Sequence, residues 1–233
     1  MQCKTWRATK IDPGGIAEYF RVAAPNLRDT LAVPANISFA DASLVEPLAC
    51  VVKSLRRSGL REGDRLYVIG LGVMGQLHVL LGRALGAEVF ASDFIVERRE
   101  LGRRNGATVF APADAASFLK AGADVVICGP GSADAMRGAV ETAAPNGTIV
   151  MFTPFPPEIA VTIDSQRLYF NDLRVVASYS CGPDDTRTAL DTIANGVVTA
   201  EKVGATFVSL QDVPQAYREL AESRIVKPIV VFD

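Results

Sequence analysis

The sequence holds a single histidine, His78, in 233 residues, which excludes a metal or proton-relay site built on several histidines. Its four cysteines, at 3, 50, 128 and 181, are scattered. No C-x-x-C pair occurs, so neither a zinc ribbon nor a disulfide framework is indicated, and no Cys/His/Glu cluster stands at ligand spacing. An excess of one charge is also missing. The net charge of -2 excludes the basic footprint of a nucleic-acid binder, and the pairs Arg56-Arg57, Arg98-Arg99 and Arg103-Arg104 read as solvated helix faces. The longest apolar stretch, 66–85, is interrupted by glycines, Gln76, His78 and Arg83, so no membrane span is expected. The opening MQCKTWR lacks the apolar core of a signal peptide. A cytoplasmic protein with no nucleic-acid or membrane partner is therefore expected. The hydrophobic share of 49% is enough for a sizeable core in one or two domains.

Along the chain, residues 1–42 read differently from the rest: a DPGG turn at 12–15, strand character over 17–23 and an irregular stretch over 26–34. From residue 43, apolar residues at helical spacing predict a helix closed by Gly59. Strands and helices then alternate. Strands are expected at 66–69, 88–92, 108–110, 124–128, 147–152, 159–163 and 174–178, and helices at 75–85, 96–105 and 132–143. Repeated β-α-β units imply a doubly wound parallel sheet with helices on both faces. A tail over 179–233 adds helices at 184–195 and 213–223 and short strands at 206–208 and 228–232.

The stretch YVIGLGVMGQLHVLLGRALGAEVFASD, 67–93, carries the chemistry. Gly70, Gly72 and Gly75 form a G-x-G-x-x-G that follows a strand and opens a helix. Such glycines permit a tight turn, a close backbone approach to a pyrophosphate, and helix–sheet contact. The helix N-terminus adds free N–H groups and a positive dipole end. Asp93 ends the next strand, where a carboxylate can accept from both adenosine ribose hydroxyls and repels a 2'-phosphate. This favours NAD over NADP in a Rossmann domain. Phe94 follows it, and Arg98 lies on the next helix, where it flanks the ribose. His78, inside the first helix on its apolar side, reads as a core residue. A doubly wound domain that uses its glycines for packing alone is the bland alternative.

With these motifs, DPGGIAEYFRVAAPN, EPLACVVKSLRRSGLREGDRLYVIGLGVMG, DVVICGPG and VPQAYRELAESRIVKPIVVF occur in the order found in the medium-chain dehydrogenases/reductases. The chain resembles that superfamily over nearly its whole length, on the side of the zinc-containing alcohol, polyol (sorbitol-like) and threonine dehydrogenases. The resemblance implies three segments. Residues 1–42 would be a remnant of a GroES-like catalytic β domain, 43–178 the NAD-binding Rossmann domain, and 179–233 a segment returning to the catalytic domain. It implies that Cys3 is the last of four structural-zinc cysteines. Glu46 matches a glutamate at or beside the catalytic zinc, whose partner ligands are absent, so zinc is expected in the full-length family but not bound by this chain. As implied by the resemblance, Leu71, Val73 and Met74 contact the pyrophosphate through their backbone. Cys128 and Gly129 pass beside the cofactor, and Phe152, Thr153 and Pro154, with Val176 and Ser178, lie near the nicotinamide. The expected function is the cofactor-binding portion of an NAD-dependent alcohol or polyol dehydrogenase, inactive by itself. The alternative is a non-catalytic, regulatory or partner-dependent NAD-binding module. A homodimer through a Rossmann edge strand, placed at 157–163, is also expected.

Overall fold

The computed structural model describes residues 14–232, so Cys3 and the first two residues of the 12–15 turn lie outside the described residues. Strand β1 (Arg65–Ile69) shows how this sequence builds a doubly wound sheet. Its side chains alternate between the two faces, and both faces are covered. Leu66 and Val68 enter one core with Val89, Val125, Ile127 and Val150. Tyr67 enters the other, with Phe90, Phe110, Val126 and Ile149. Each fully buried aliphatic side chain contributes about 1.5–3 kcal/mol, so the sheet position is over-determined from both sides.

Six parallel strands run in the order β3-β2-β1-β4-β5-β6, where β2 is Glu88–Ser92, β3 Thr108–Phe110, β4 Ala123–Cys128, β5 Ala143–Met151 and β6 Arg174–Ala177. The order reverses between β1 and β4, the position at which doubly wound sheets open a crevice at the carboxyl ends of their strands. Helices α1 (Val45–Ser58) and α2 (Val73–Ala84) supply Leu48, Val51, Leu55, Leu77 and Val79 to the first core. Helix α3 (Val96–Arg104) follows β2, and α4 (Ala133–Thr142) lends Met136, Ala139 and Val140 to the second core. Strand β5 starts directly after α4, four residues earlier than expected. Its extra residues, Ala143 to Asn146, are accommodated by a register shift against β4 between Ala123 and Val125.

Beyond β6, a helix over Ser165–Phe170 (α5) having preceded it, comes α6 (Pro183–Ala194). Its Ala189 and Ile193, with Cys181, Val198 and Val203, belong to the first core, so this part of the tail packs on α1 as an integral layer. Strands β7 (Ala205–Ser209) and β8 (Lys227–Val231), joined through α7 (Val213–Ala221), form a separate two-stranded parallel sheet. No helix among the described residues is long and apolar enough to cross a membrane.

Two expected strands are absent. Residues 159–163 form no ladder. Val161 and Ile163 instead pack against the second core, and the neighbour of β5 is β6, which therefore forms the sheet's edge. The alternation there reflects burial without a pairing partner. Residues 17–23 are bends with one bridge residue at Arg21, and Tyr19 and Phe20 are exposed. Helix α5 was not anticipated. Asp164 caps it, its Oδ1 accepting from the N–H groups of Gln166 and Arg167.

Candidate functional site

The glycine turn lies at the carboxyl end of β1. Gly70 has φ +88°, a conformation that L side chains rarely adopt. A Cβ on Gly75 would lie 1.9 Å from the Gly70 carbonyl oxygen, so the first turn of α2 rests directly on the loop that feeds it. Gly72 is the N-cap of α2, has no side-chain cap and has open space around its Cβ position to 4 Å. The first N–H groups of a helix lack intrahelical acceptors, so an anion is the natural partner here. Gly129, after β4, shows the same economy of space. Its N–H donates to the Ile69 carbonyl at 3.2 Å, and a Cβ there would sit 2.5 Å from that oxygen. The carboxyl ends of β1 and β4 thus approach as closely as glycine allows.

Asp93 follows β2 and is 8% exposed. Its Oδ2 accepts from the Leu71 N–H at 2.7 Å and its Oδ1 from the Ile95 N–H at 2.8 Å. A carboxylate offers about four acceptor positions, so two remain for a ligand. Arg98 pairs with Asp93 at 3.9 Å, and its Nε is buried without a partner among the described residues. Arg99 braces the same turn by donating to the Asp93 and Phe94 carbonyls.

A cavity of about 1090 Å³ unites these parts; it is lined by Gly70, Gly72, Val73, Met74, Gly75, Asp93, Phe94, Arg98, Gly129 and Thr153, among others. The remaining sequence-predicted residues do not line it. Leu71 is fully buried, and its N–H is committed to Asp93, so it does not offer the free pyrophosphate contact expected of it. Cys128 is buried in the second core, and burial pushes its thiol up to about 11. Phe152 meets the His78 ring edge-on at 4.8 Å, and the Pro154 carbonyl closes over Gly131. Val176 packs on the first core; Ser178 is buried, its Oγ without a partner among the described residues. Glu46 lies on α1, exposed, away from the cavity lining.

His78 is a core residue, as expected. Its Nδ1 lies 2.8 Å from the Met74 carbonyl, which can only accept, so Nε2 accepts from the Ser54 hydroxyl at 2.9 Å. Burial pushes its pKa down to about 4, against the smaller opposing effect of the Met74 bond. Sequence reasoning missed Gln76. It is fully buried; its amide donates to the Leu71 and Arg98 carbonyls, and its Oε1 accepts from Asn105. A polar residue on the apolar side of α2 was the available signal.

The sequence shows no metal-ligand spacing, yet the fold assembles a ligand cluster. Donor atoms of Glu46, Cys50 and Cys181 all lie within 4.8 Å of one another. Residues 46 and 50 share a face of α1, and Cys181 arrives from the β6–α6 connection, 131 positions away from Cys50 in sequence. The hydrogen bond between the two thiols raises Cys50, with burial and Glu46 adding to the rise, and lowers Cys181.

Comparisons with known proteins bear on the family and the fold. Residues 73–195 match the family profile described as "Zinc-binding dehydrogenase". D-xylulose reductase A of Aspergillus oryzae is 26% identical over 211 residues, covering 85% of this chain and 58% of the relative. The 2-dehydro-3-deoxy-L-galactonate 5-dehydrogenase of Pseudoalteromonas atlantica is 27% identical over 238 residues, covering 94% and 68%. Among solved structures, a protein of Sinorhizobium meliloti described as a zinc-binding dehydrogenase and bound to NADP superposes with a TM-score of 0.79. It is 28% identical, over 87% of this chain and 62% of that one. This chain therefore spans less than two thirds of the D-xylulose reductase and of that solved structure. The profile covers more than half of the chain, including the helix that opens on the glycine turn, and the chain belongs to the zinc-binding dehydrogenase family, of which it carries the cofactor-binding portion.

Proposed function

We propose that this chain binds NAD and is the cofactor-binding portion of an alcohol or polyol dehydrogenase that moves a hydride from a secondary alcohol to the cofactor. The observation that carries the reading is Asp93: its carboxylate lies at the end of β2, lines the same cavity as Gly70–Gly75 and is bonded to the turn itself. The donor and acceptor set fits a dinucleotide. The N-terminus of α2 would receive the pyrophosphate, and the free acceptor positions of Asp93 the adenosine ribose hydroxyls. Its negative charge disfavours a 2'-phosphate. Exposed Phe94 would flank the adenine end. Thr153, with the backbone of Phe152 and Pro154 and the region of Val176 and Ser178, would hold the nicotinamide end. The unpartnered Ser178 hydroxyl supports that assignment. Bound there, the cofactor supplies the hydride-accepting carbon, while the protein positions it and excludes water.

Alcohol or polyol substrates are supported by the sugar-related reactions named for the relatives. In this reading residues 1–42 and 179–233 lead to and from the catalytic domain, Glu46 stands near the catalytic metal, and the protein works in the cytoplasm. It pairs as a homodimer along the exposed edge of β6, where Val175 is accessible. Light scattering on the purified chain tests the dimer, which Val175→Lys should dissociate.

Titration with NADH and with NADPH, followed by nicotinamide fluorescence, tests the cofactor assignment. Saturable binding that favours NADH is expected. A second reading, NADP, is favoured by the unpartnered Arg98 Nε beside the ribose position and would appear as preference for NADPH. Binding without alcohol oxidation is expected of this chain by itself; oxidation gained when a catalytic domain of the family is supplied separates the dehydrogenase portion from a non-catalytic module.

A further inference from the structure

We propose that Glu46, Cys50 and Cys181 form a binding site for a thiophilic divalent cation of the zinc class. The residues converge from two distant parts of the chain. Glu46 and Cys50 are one helical turn apart on α1, so their side chains share a face, and the Cys50 Sγ lies 3.4 Å from the Glu46 Oε1. Cys181 reaches the same point from the connection between β6 and α6.

That connection is held onto α1 from both sides. Lys53 Nζ donates to the Tyr179 carbonyl at 2.7 Å, two residues before Cys181. Just after it, the Gly182 N–H donates to Asp185 Oδ2 at 2.9 Å, and Asp185 Oδ1 accepts from Arg56 at 2.8 Å. Asp185 is 4% exposed and Cys181 7%, so the second thiol is presented by a packed segment rather than by a free loop. One helix, α1, therefore carries two donors of the site and both anchors of the third.

The spacing suits a tetrahedral ion. Donor atoms on arms of about 2.0–2.3 Å lie roughly 3.3–3.8 Å apart on a tetrahedron. The three atoms here already lie within 4.8 Å of one another, so contraction by about 1.5 Å or less, within reach of side-chain rotation, would complete the geometry. Two sulfurs and one carboxylate select zinc, cobalt or cadmium over magnesium or calcium, which prefer oxygen alone. Binding converts two thiols to thiolates, and both protons leave to solvent as two metal–sulfur bonds and one metal–oxygen bond form. Glu46 is exposed, so the fourth position opens to water. None of this depends on the dinucleotide assignment, because the donors do not line the glycine-turn cavity.

The test uses the full chain, reduced, stripped of metal with a chelator and titrated with Co²⁺ alone. The expected result is a near-ultraviolet sulfur-to-cobalt charge-transfer band that saturates at one equivalent and is displaced by Zn²⁺. C50S and C181S should each abolish the band. E46Q, at an exposed position that leaves the fold untouched, should keep it and raise the Kd by on the order of tenfold or more. C3S should change nothing. Circular dichroism of each metal-free variant checks its fold, and C50S and E46Q keep the proposal testable if C181S does not fold. No charge-transfer band in the reduced chain overturns the proposal. So does a band that persists in folded C50S, or one lost in C3S.

Discussion

The backbone N–H of Leu71 donates to Asp93 Oδ2 at 2.7 Å, across 22 residues of sequence, and this bond locks the glycine turn of β1 to the end of β2. The group that would recognise the ribose is therefore also the group that braces the glycine turn. Asp93→Asn removes the charge and half of the acceptors. Hydrogen bonds to a charged group are worth about 1.5–3 kcal/mol, so NADH affinity should fall by roughly tenfold or more. Discrimination against NADPH should shrink as well. Fluorescence titration of both cofactors checks this. Unchanged NADH affinity would remove Asp93 from the site.

Gly75→Ala places a methyl group 1.9 Å from the Gly70 carbonyl oxygen, where backbone rather than a flexible side chain must yield. Overpacking of this kind costs about 1–3 kcal/mol. The loop shift should abolish dinucleotide binding beyond what the stability loss explains. Urea denaturation alongside cofactor titration separates the two effects. Gly72→Ala provides the contrast. Its Cβ meets nothing within 4 Å, so stability should be nearly unchanged while binding is lost.

Gln76 ties three backbone or side-chain groups together: the Leu71 carbonyl, the Arg98 carbonyl and the Asn105 amide. Gln76→Leu, of similar size, removes all three bonds, while Asn105 keeps its bond to the Lys202 carbonyl. A destabilisation on the order of 2–3 kcal/mol is expected from the buried groups left unpaired. Chemical denaturation that shows a change below ~0.5 kcal/mol would mean that the network is dispensable.

His78 makes stability depend on pH. Its folded pKa of about 4 lies below the ordinary 6.5, so the unfolded chain takes up a proton that the folded chain refuses. Stability is fully present above about pH 6.5 and declines as pH falls through about 4. The contribution is at most about 3.4 kcal/mol, from a shift of about 2.5 units at 1.36 kcal/mol per unit. Carboxylates titrate in the same window. The informative quantity is therefore the difference between the wild type and His78→Gln, which should narrow from pH 7 to pH 4. A constant difference would place the titration elsewhere.

The glycine turn, the order of strands and helices and the acid after β2 are local patterns, and the sequence determined them. Period-two and period-3.6 burial, glycines where a Cβ cannot fit and a carboxylate at a strand end each leave a mark within a few residues. What a strand pairs with leaves no such mark. Residues 159–163 alternate like a strand but spend their apolar side chains on the second core, while β6 takes the edge. Partners distant in sequence were equally invisible. Gln76 as a tie between α2 and α3, Leu71 as a donor to Asp93, and above all Cys50 meeting Cys181 beside Glu46, exist only because packing of α6 on α1 brings the β6–α6 connection over the first helix. The sequence by itself determined most of the elements, the glycine turn and the acid after β2. Only the tertiary structure decided which side chains meet, because burial of shared apolar faces, not local propensity, sets those distances.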